Sequence, residues 1–192
     1  MPNWCSTSYV ISGPKEDIRS LYGKMKRLQD RKESLLPNGF GKTWLGNLVH
    51  RLGKDYHTVD CRGDWSELKM KDGEIHFNTE TAWSRCDEVE ELIQTVYPDL
   101  SIWFISEELG CGIFETNDAT GDIFPERIII DNEDEMEYYT PEEAHKKICD
   151  ILEVSPDTLT WKEAVKKVSE RYELPDKVDN DYYISITEVE VV

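Results

Sequence analysis

The order in which the hydrophobic period changes between residues 4 and 106 constrains the fold more tightly than any other feature of this chain. Residues 4–12, WCSTSYVIS, are aromatic and β-branched and end at Gly13-Pro14, which predicts a strand. Pro14 then opens a helix at its first position, with Glu16 and Asp17 in the first turn and Ile18, Leu21, Tyr22, Met25 and Leu28 at helical spacing. Trp44, Leu45, Leu48, Val49 and Leu52 repeat that spacing up to Gly53, which predicts a shorter helix with Thr43 as a cap. From Tyr56 to Thr81 the period becomes two, and Lys71-Asp72-Gly73-Glu74 marks a tight hairpin between WSELKM and EIHFNTET. A helix with Val89, Leu92, Ile93 and Val96 on one stripe follows, opened by a capping box at Ser84 and Asp87 and stopped by Pro98. Leu100 to Ser106 is then an apolar strand.

Strand, helix, hairpin, helix, strand is the split β-α-β order of the ferredoxin-like fold, here with an inserted short helix. Beyond it, CGIFETN and IFPERIII predict an added strand pair ending at Asp131, and DNEDEMEYY (131–139) reads as a charged loop. Capping boxes at Thr140/Glu143 and Thr160/Glu163 open two amphipathic helices, and DYYISITEVEVV is a strand expected to join the main sheet. The expected class is α+β: one domain over 1–192, a ferredoxin-like antiparallel core with its added hairpin over 1–131, and C-terminal helices and a strand (132–192) packed on it, with little independent core of their own.

MPNWC, the SGP after the first strand, WLGN, CRG at 61–63, TAWS at 81–84, YPDLS, and ELGCGIFETN with FPER between 109 and 127 appear together in this order. In this the chain resembles the YubB-type ferredoxin-like proteins of bacterial plasmids, phages and conjugative elements, over residues 1 to about 131 and more loosely beyond. The resemblance implies a fold and a mobile-element origin; it implies no established activity and no functional residues.

The net charge is −18, and it is uneven: residues 1–60 hold ten Lys/Arg against six Asp/Glu, residues 61–192 twelve against 34. Such a field repels nucleic-acid phosphates and anionic membranes and attracts basic partners. The N-terminus MPNWCSTSYV lacks a basic segment followed by an apolar run, and no stretch approaches 18 consecutive apolar residues, which points to a cytoplasmic protein without a membrane partner. Five cysteines without a C-x-x-C spacing read as reduced, buried hydrophobes, and the six tryptophans mostly as core or sheet-packing residues.

PNGFGKTWLG (37–46) carries two partial signatures. A phosphate-binding loop needs a glycine where Leu36 stands and a buried strand before it, so Gly41-Lys42-Thr43 alone does not make one. An RNA-reading strand keeps only Gly39, Phe40 and Gly41 of its pattern and would lie on the third strand, whose candidate EIHFNTET offers one aromatic residue. Asp131, Glu133 and Glu135 alternate as in a calcium loop, but Met136 occupies the obligatory glycine position. No hydrolase elbow or zinc-protease motif is present, and pairing of Cys61 with His57 or His76 has only sequence proximity behind it. No cofactor, metal or catalytic residue is therefore assigned, and nucleic acid is disfavoured except through local contacts of the basic first helix.

The sequence points away from an enzyme and towards a non-catalytic accessory protein of a mobile element acting by protein–protein interaction. Its acidic surface, Glu107, Glu108, Asp131, Glu133, Asp134, Glu135, Glu137, Glu142 and Glu143, would meet a basic protein and in the sharper form would mimic nucleic acid. The alternative is a small-ligand-binding protein or an enzyme with an unrecognised site, marked by a cleft where Cys61, His76 or Arg85 converge with Glu107. The oligomeric state is left open.

Overall fold

Asp72 and Gly73 have φ of 52° and 91°, and Lys71 pairs with Glu74 across them. This is the mirror-image two-residue turn whose twist suits a hairpin, and it joins β2 (Gly63–Lys71) to β3 (Glu74–Ala82) as the sequence predicts. In the computed structural model, which describes residues 3–132, 135–172 and 183–192, this hairpin is one flank of a larger sheet. β1 (Trp4–Ser12) lies antiparallel between β3 and β4 (Ser101–Glu108), and β5 (Ile113–Thr116) lies antiparallel to β4. With β9 (Glu190–Val191) the order is β2-β3-β1-β4-β5-β9, a six-stranded, mostly antiparallel sheet in an α+β protein.

One face of this sheet is covered. Tyr9 and Ile11 of β1, Ile75 and Phe77 of β3, and Ile102 and Phe104 of β4 pack against Ile18, Leu21, Met25 and Leu28 of α1 (Lys15–Gln29). Leu45, Leu48 and Val49 of α2 (Leu45–Arg51) and Val89 and Ile93 of α3 (Asp87–Val96) close the same core. Period-two alternation puts Ser6, Ser8, His76, Asn78 and Glu107 on the opposite face.

Local starts differ from expectation. Pro14 occupies the cap position before α1, its carbonyl accepting from the Ile18 amide at 3.0 Å. Thr43 does not cap α2: its hydroxyl donates to Asp64 at 3.4 Å, and Trp44 holds the cap position with its indole donating to the Cys61 carbonyl at 2.9 Å. Ser84 does not cap α3 either. Its carbonyl accepts from the Thr81 hydroxyl at 2.8 Å, and the helix starts at Asp87 with Cys86 as an uncapped boundary. Cys111 belongs to a 3-10 turn (Leu109–Cys111) rather than to β5. Glycine closes α2 as predicted, with Gly53 at φ 89°.

The residues group into two compact units, residues 1–118 with 191–192, and residues 119–190. The second unit corrects four expectations. Its sheet is β7-β6-β8, from β6 (Ile128–Asn132), β7 (Met136–Tyr139) and β8 (Ile184–Glu188). The stretch expected as a loop is thus largely the hairpin of β6 and β7, and Ile128–Ile130 form a strand of this sheet rather than of the main one. The C-terminal strand is divided, with Ile184–Glu188 here and Val192 donating to the Thr116 carbonyl at 3.0 Å in the first unit. The unit also has its own core: Ile128, Ile130 and Ile184 pack with Ala144, Ile148 and Cys149 of α4 (Pro141–Ile151) and Ala164 and Val168 of α5 (Trp161–Tyr172). The physical reason is the apolar run at 128–130, which needs an apolar cover, and the two helical stripes supply it. Among the described residues no helix is long and apolar enough to cross a membrane.

Candidate interaction surface

Trp83 is half exposed, at 50%, and its φ is +74°. For a bulky aromatic residue that left-handed backbone is strained, and such strain persists only where neighbours impose it. They do so here. The Trp83 amide donates to the Asn3 carbonyl at 2.9 Å, the Ala82 amide to the Arg62 carbonyl at 3.0 Å, and Thr81 and Ser84 are joined by the hydroxyl bond already described. Thr79 and Thr81 point into the core, so period-two alternation would carry the Trp83 ring inward as well. The kink turns it out to solvent.

Trp4, 43% exposed, pairs with Ala82 across the ladder, and its ring meets the edge of Phe40 with centroids 6.2 Å apart. Asn3 joins a third segment: its amide nitrogen lies 3.6 Å from the Cys111 sulfur, and Leu109, two residues earlier, is 41% exposed. Beneath, the side chains of Cys5, Thr7 and Ser106 are buried and bonded to one another, Thr7 to Ser106 at 2.7 Å and Cys5 to Ser106 at 3.3 Å. Three separate stretches, NWC, TAW and ELGC, thus meet at one end of the sheet and expose two indole rings and a leucine. Aromatic residues with one apolar face free are the side chains that dominate binding energy at protein interfaces.

This corrects the reading of Trp83 as a core or sheet-packing residue. Trp44 and Trp65 are buried, but Trp4 and Trp83 are not. Trp4 was findable, since it shares the outward parity of Ser6 and Ser8. Trp83 was not, because a positive φ at tryptophan has no sequence signal.

The acidic candidates are distributed over both units. Glu107 sits opposite Ser6 and Phe114 on the sheet face turned away from α1, α2 and α3. Glu108 accepts from the Cys111 amide and caps the 3-10 turn, and its bond with the Cys111 thiol holds its carboxyl below the ordinary range and pushes the thiol up. In the second unit, Asp131 accepts from the Tyr183 hydroxyl at 3.3 Å. Glu137 accepts from Tyr139 and from Lys147, Glu143 completes the α4 capping box, and Glu135 and Glu142 are exposed. Glu133 and Asp134 lie outside the described residues.

Arg85 is committed elsewhere. Its guanidinium is 2.9 Å from Glu90, 3.1 Å from Asp87 and 3.0 Å from Glu115, and lies over the Phe104 ring at 4.0 Å. Tyr9 donates to Glu90 at 2.7 Å. Burial raises the Glu90 carboxyl against the pull of Tyr9 and Arg85. Cys61 donates to the Tyr56 carbonyl at 3.7 Å, and burial pushes its thiol to about 11 and that of Cys86 to about 12, so neither is a ready thiolate at neutral pH. His76 faces Glu74 at 3.7 Å. The cavity beside Tyr9, Thr79, Thr81, Cys86 and Glu90 is about 20 Å³, room for a single water. Among the described residues no three His, Cys, Asp or Glu side chains gather as a metal site. Comparison with protein-family models, with curated proteins and with solved structures finds no match for the chain.

Proposed function

We propose that this chain is a non-catalytic accessory protein of a bacterial mobile element, of the YubB-type ferredoxin-like class, that acts by binding another protein through the Trp4–Trp83 end of its sheet. The observation that carries this reading is Trp83, an exposed aromatic residue held at φ +74° by the chain around it. The ferredoxin-like assignment is supported by the β2-β3-β1-β4 order, with α1 and α2 following β1 and α3 following β3. The family assignment is supported by the meeting of three of the resembling segments at that one end.

Glu107 and Glu108 lie in the same unit as the tryptophans, and the charge of −18 selects a basic partner. In the sharper form, that partner is a host DNA-binding protein whose phosphate-contacting surface the carboxylates occupy. The test is retention of proteins from bacterial lysate on the immobilised chain across a salt series, with wild type, Trp83→Gly and Trp4→Ser compared. A basic protein held at low salt by wild type and released from both variants is the expected result. Equal retention by all three removes the tryptophan surface, and no DNA-binding protein at low salt removes the mimicry.

A further inference from the structure

Although the chain has 40 Asp/Glu and 22 Lys/Arg, three of its arginines line one pocket. Arg27, Arg31 and Arg51 surround a pocket of about 190 Å³ whose remaining lining is Leu28 and Leu35. Arg27 comes from the last turn of α1, Arg31 from just past its end, and Arg51 from the last residue of α2. Among the described residues none of the three forms an ion pair; Arg31 donates only to the Glu33 carbonyl, at 3.2 Å. Asp30, the residue that follows α1, is taken by Lys26 at 2.8 Å.

Helix ends account for part of this. The carbonyl ends of α1 and α2 each present about half a negative charge, and basic residues there are favourable. Together they offset about one of the three guanidinium charges. About two remain around this leucine-lined pocket, and an anion seated there would offset them. Gly23 bears on where the Arg27 fork lies. It lies inside α1, where glycine weakens a helix, and a Cβ there would sit 3.3 Å from the Arg27 Nη1. Glycine leaves room for the Arg27 fork to lie back along the helix.

We propose that this pocket binds the phosphoryl group of a small molecule. Planar guanidinium forks match phosphate oxygens two at a time, and a doubly charged phosphate balances the remaining charge. Free phosphate, pyrophosphate and a mononucleotide present the same chemistry. A polynucleotide is disfavoured, because its repeated charges meet the −18 field of the whole chain whereas a single group meets only the pocket. The site is independent of the tryptophan surface, so each stands or falls alone.

The experiment is NMR titration of the arginine Nε–H signals of the full chain with inorganic phosphate, pyrophosphate, adenosine monophosphate and a single-stranded oligonucleotide. Wild type is compared with Arg31→Gln, Arg51→Gln and the remote control Arg62→Gln; all three positions are exposed. Saturable binding of at least one of the three small phosphates, weakened tenfold or more in Arg31→Gln and Arg51→Gln and unchanged in Arg62→Gln, is the expected result, and the tightest of the three names the source. No saturable shift, an equal loss in Arg62→Gln, or tighter binding of the oligonucleotide than of any small phosphate overturns the proposal.

Discussion

Trp83 and Gly63 show opposite uses of the backbone at single positions. Trp83 carries a side chain where glycine would be more comfortable, at a strain of roughly 1–3 kcal/mol. Trp83→Gly is therefore expected to melt at or above the wild-type temperature, by up to about 1 kcal/mol in stability, while losing partner retention. A variant that both unfolds and loses binding would show Trp83 to be structural. Gly63, by contrast, has no room: an added Cβ would meet the Glu80 carbonyl oxygen at 2.2 Å. Gly63→Ala is expected to cost about 3 kcal/mol, read by denaturant unfolding, because rigid backbone in the β2–β3 ladder must move. At this scale the sequence is legible where parity decides, as for Trp4, and silent where a single dihedral decides, as for Trp83.

Helix caps and ion pairs act at the scale of elements. Thr140 and Glu143 bond reciprocally at the start of α4, and Thr160 and Glu163 do the same at α5. Thr140→Ala and Thr160→Ala should each lower the stability of the second unit by about 1 kcal/mol in denaturant unfolding. The cap bonds hold Glu143 and Glu163 below their ordinary carboxyl values, as Tyr139 and Lys147 hold Glu137. A depressed carboxyl stabilises the fold above its unfolded pKa and loses that contribution as pH falls through the folded one. Stability of this unit should therefore decline below the ordinary carboxylate range, and the decline should be shallower in Glu143→Gln and Glu163→Gln when followed by circular dichroism.

Arg85 and Glu90 belong to the same scale, with side chains 17% and 15% exposed. Arg85→Met leaves three carboxylates without their cation and is expected to cost about 3 kcal/mol in denaturant unfolding. The elements with local signatures, namely α1, the Asp72-Gly73 hairpin, α4 and α5, were legible because caps, periods and turn residues lie within a few positions of one another. The second sheet was not, because β6 pairs with β8 across more than fifty residues, with Ile128 opposite Glu188, and no local pattern names a distant partner. The false cap at Ser84 has a local origin instead: its carbonyl accepts from Thr81 in a turn that contains the positive φ of Trp83, which no sequence pattern signals.

Over the whole molecule, the proposed binding assigns the −18 charge and the two exposed tryptophans to different steps of association. Charge governs encounter rate and salt dependence, and the aromatic surface governs residence. Composition made the first legible, while the second needed three distant segments brought to one sheet end. The most direct test of the central claim places a photo-cross-linking amino acid at position 83 and, as a control, at position 71 in the hairpin turn, within bacterial cells. The account predicts one dominant adduct to a basic protein from position 83, absent from position 71 and lost when Trp4→Ser is added. Equal adducts from both positions, or none from position 83, would contradict it.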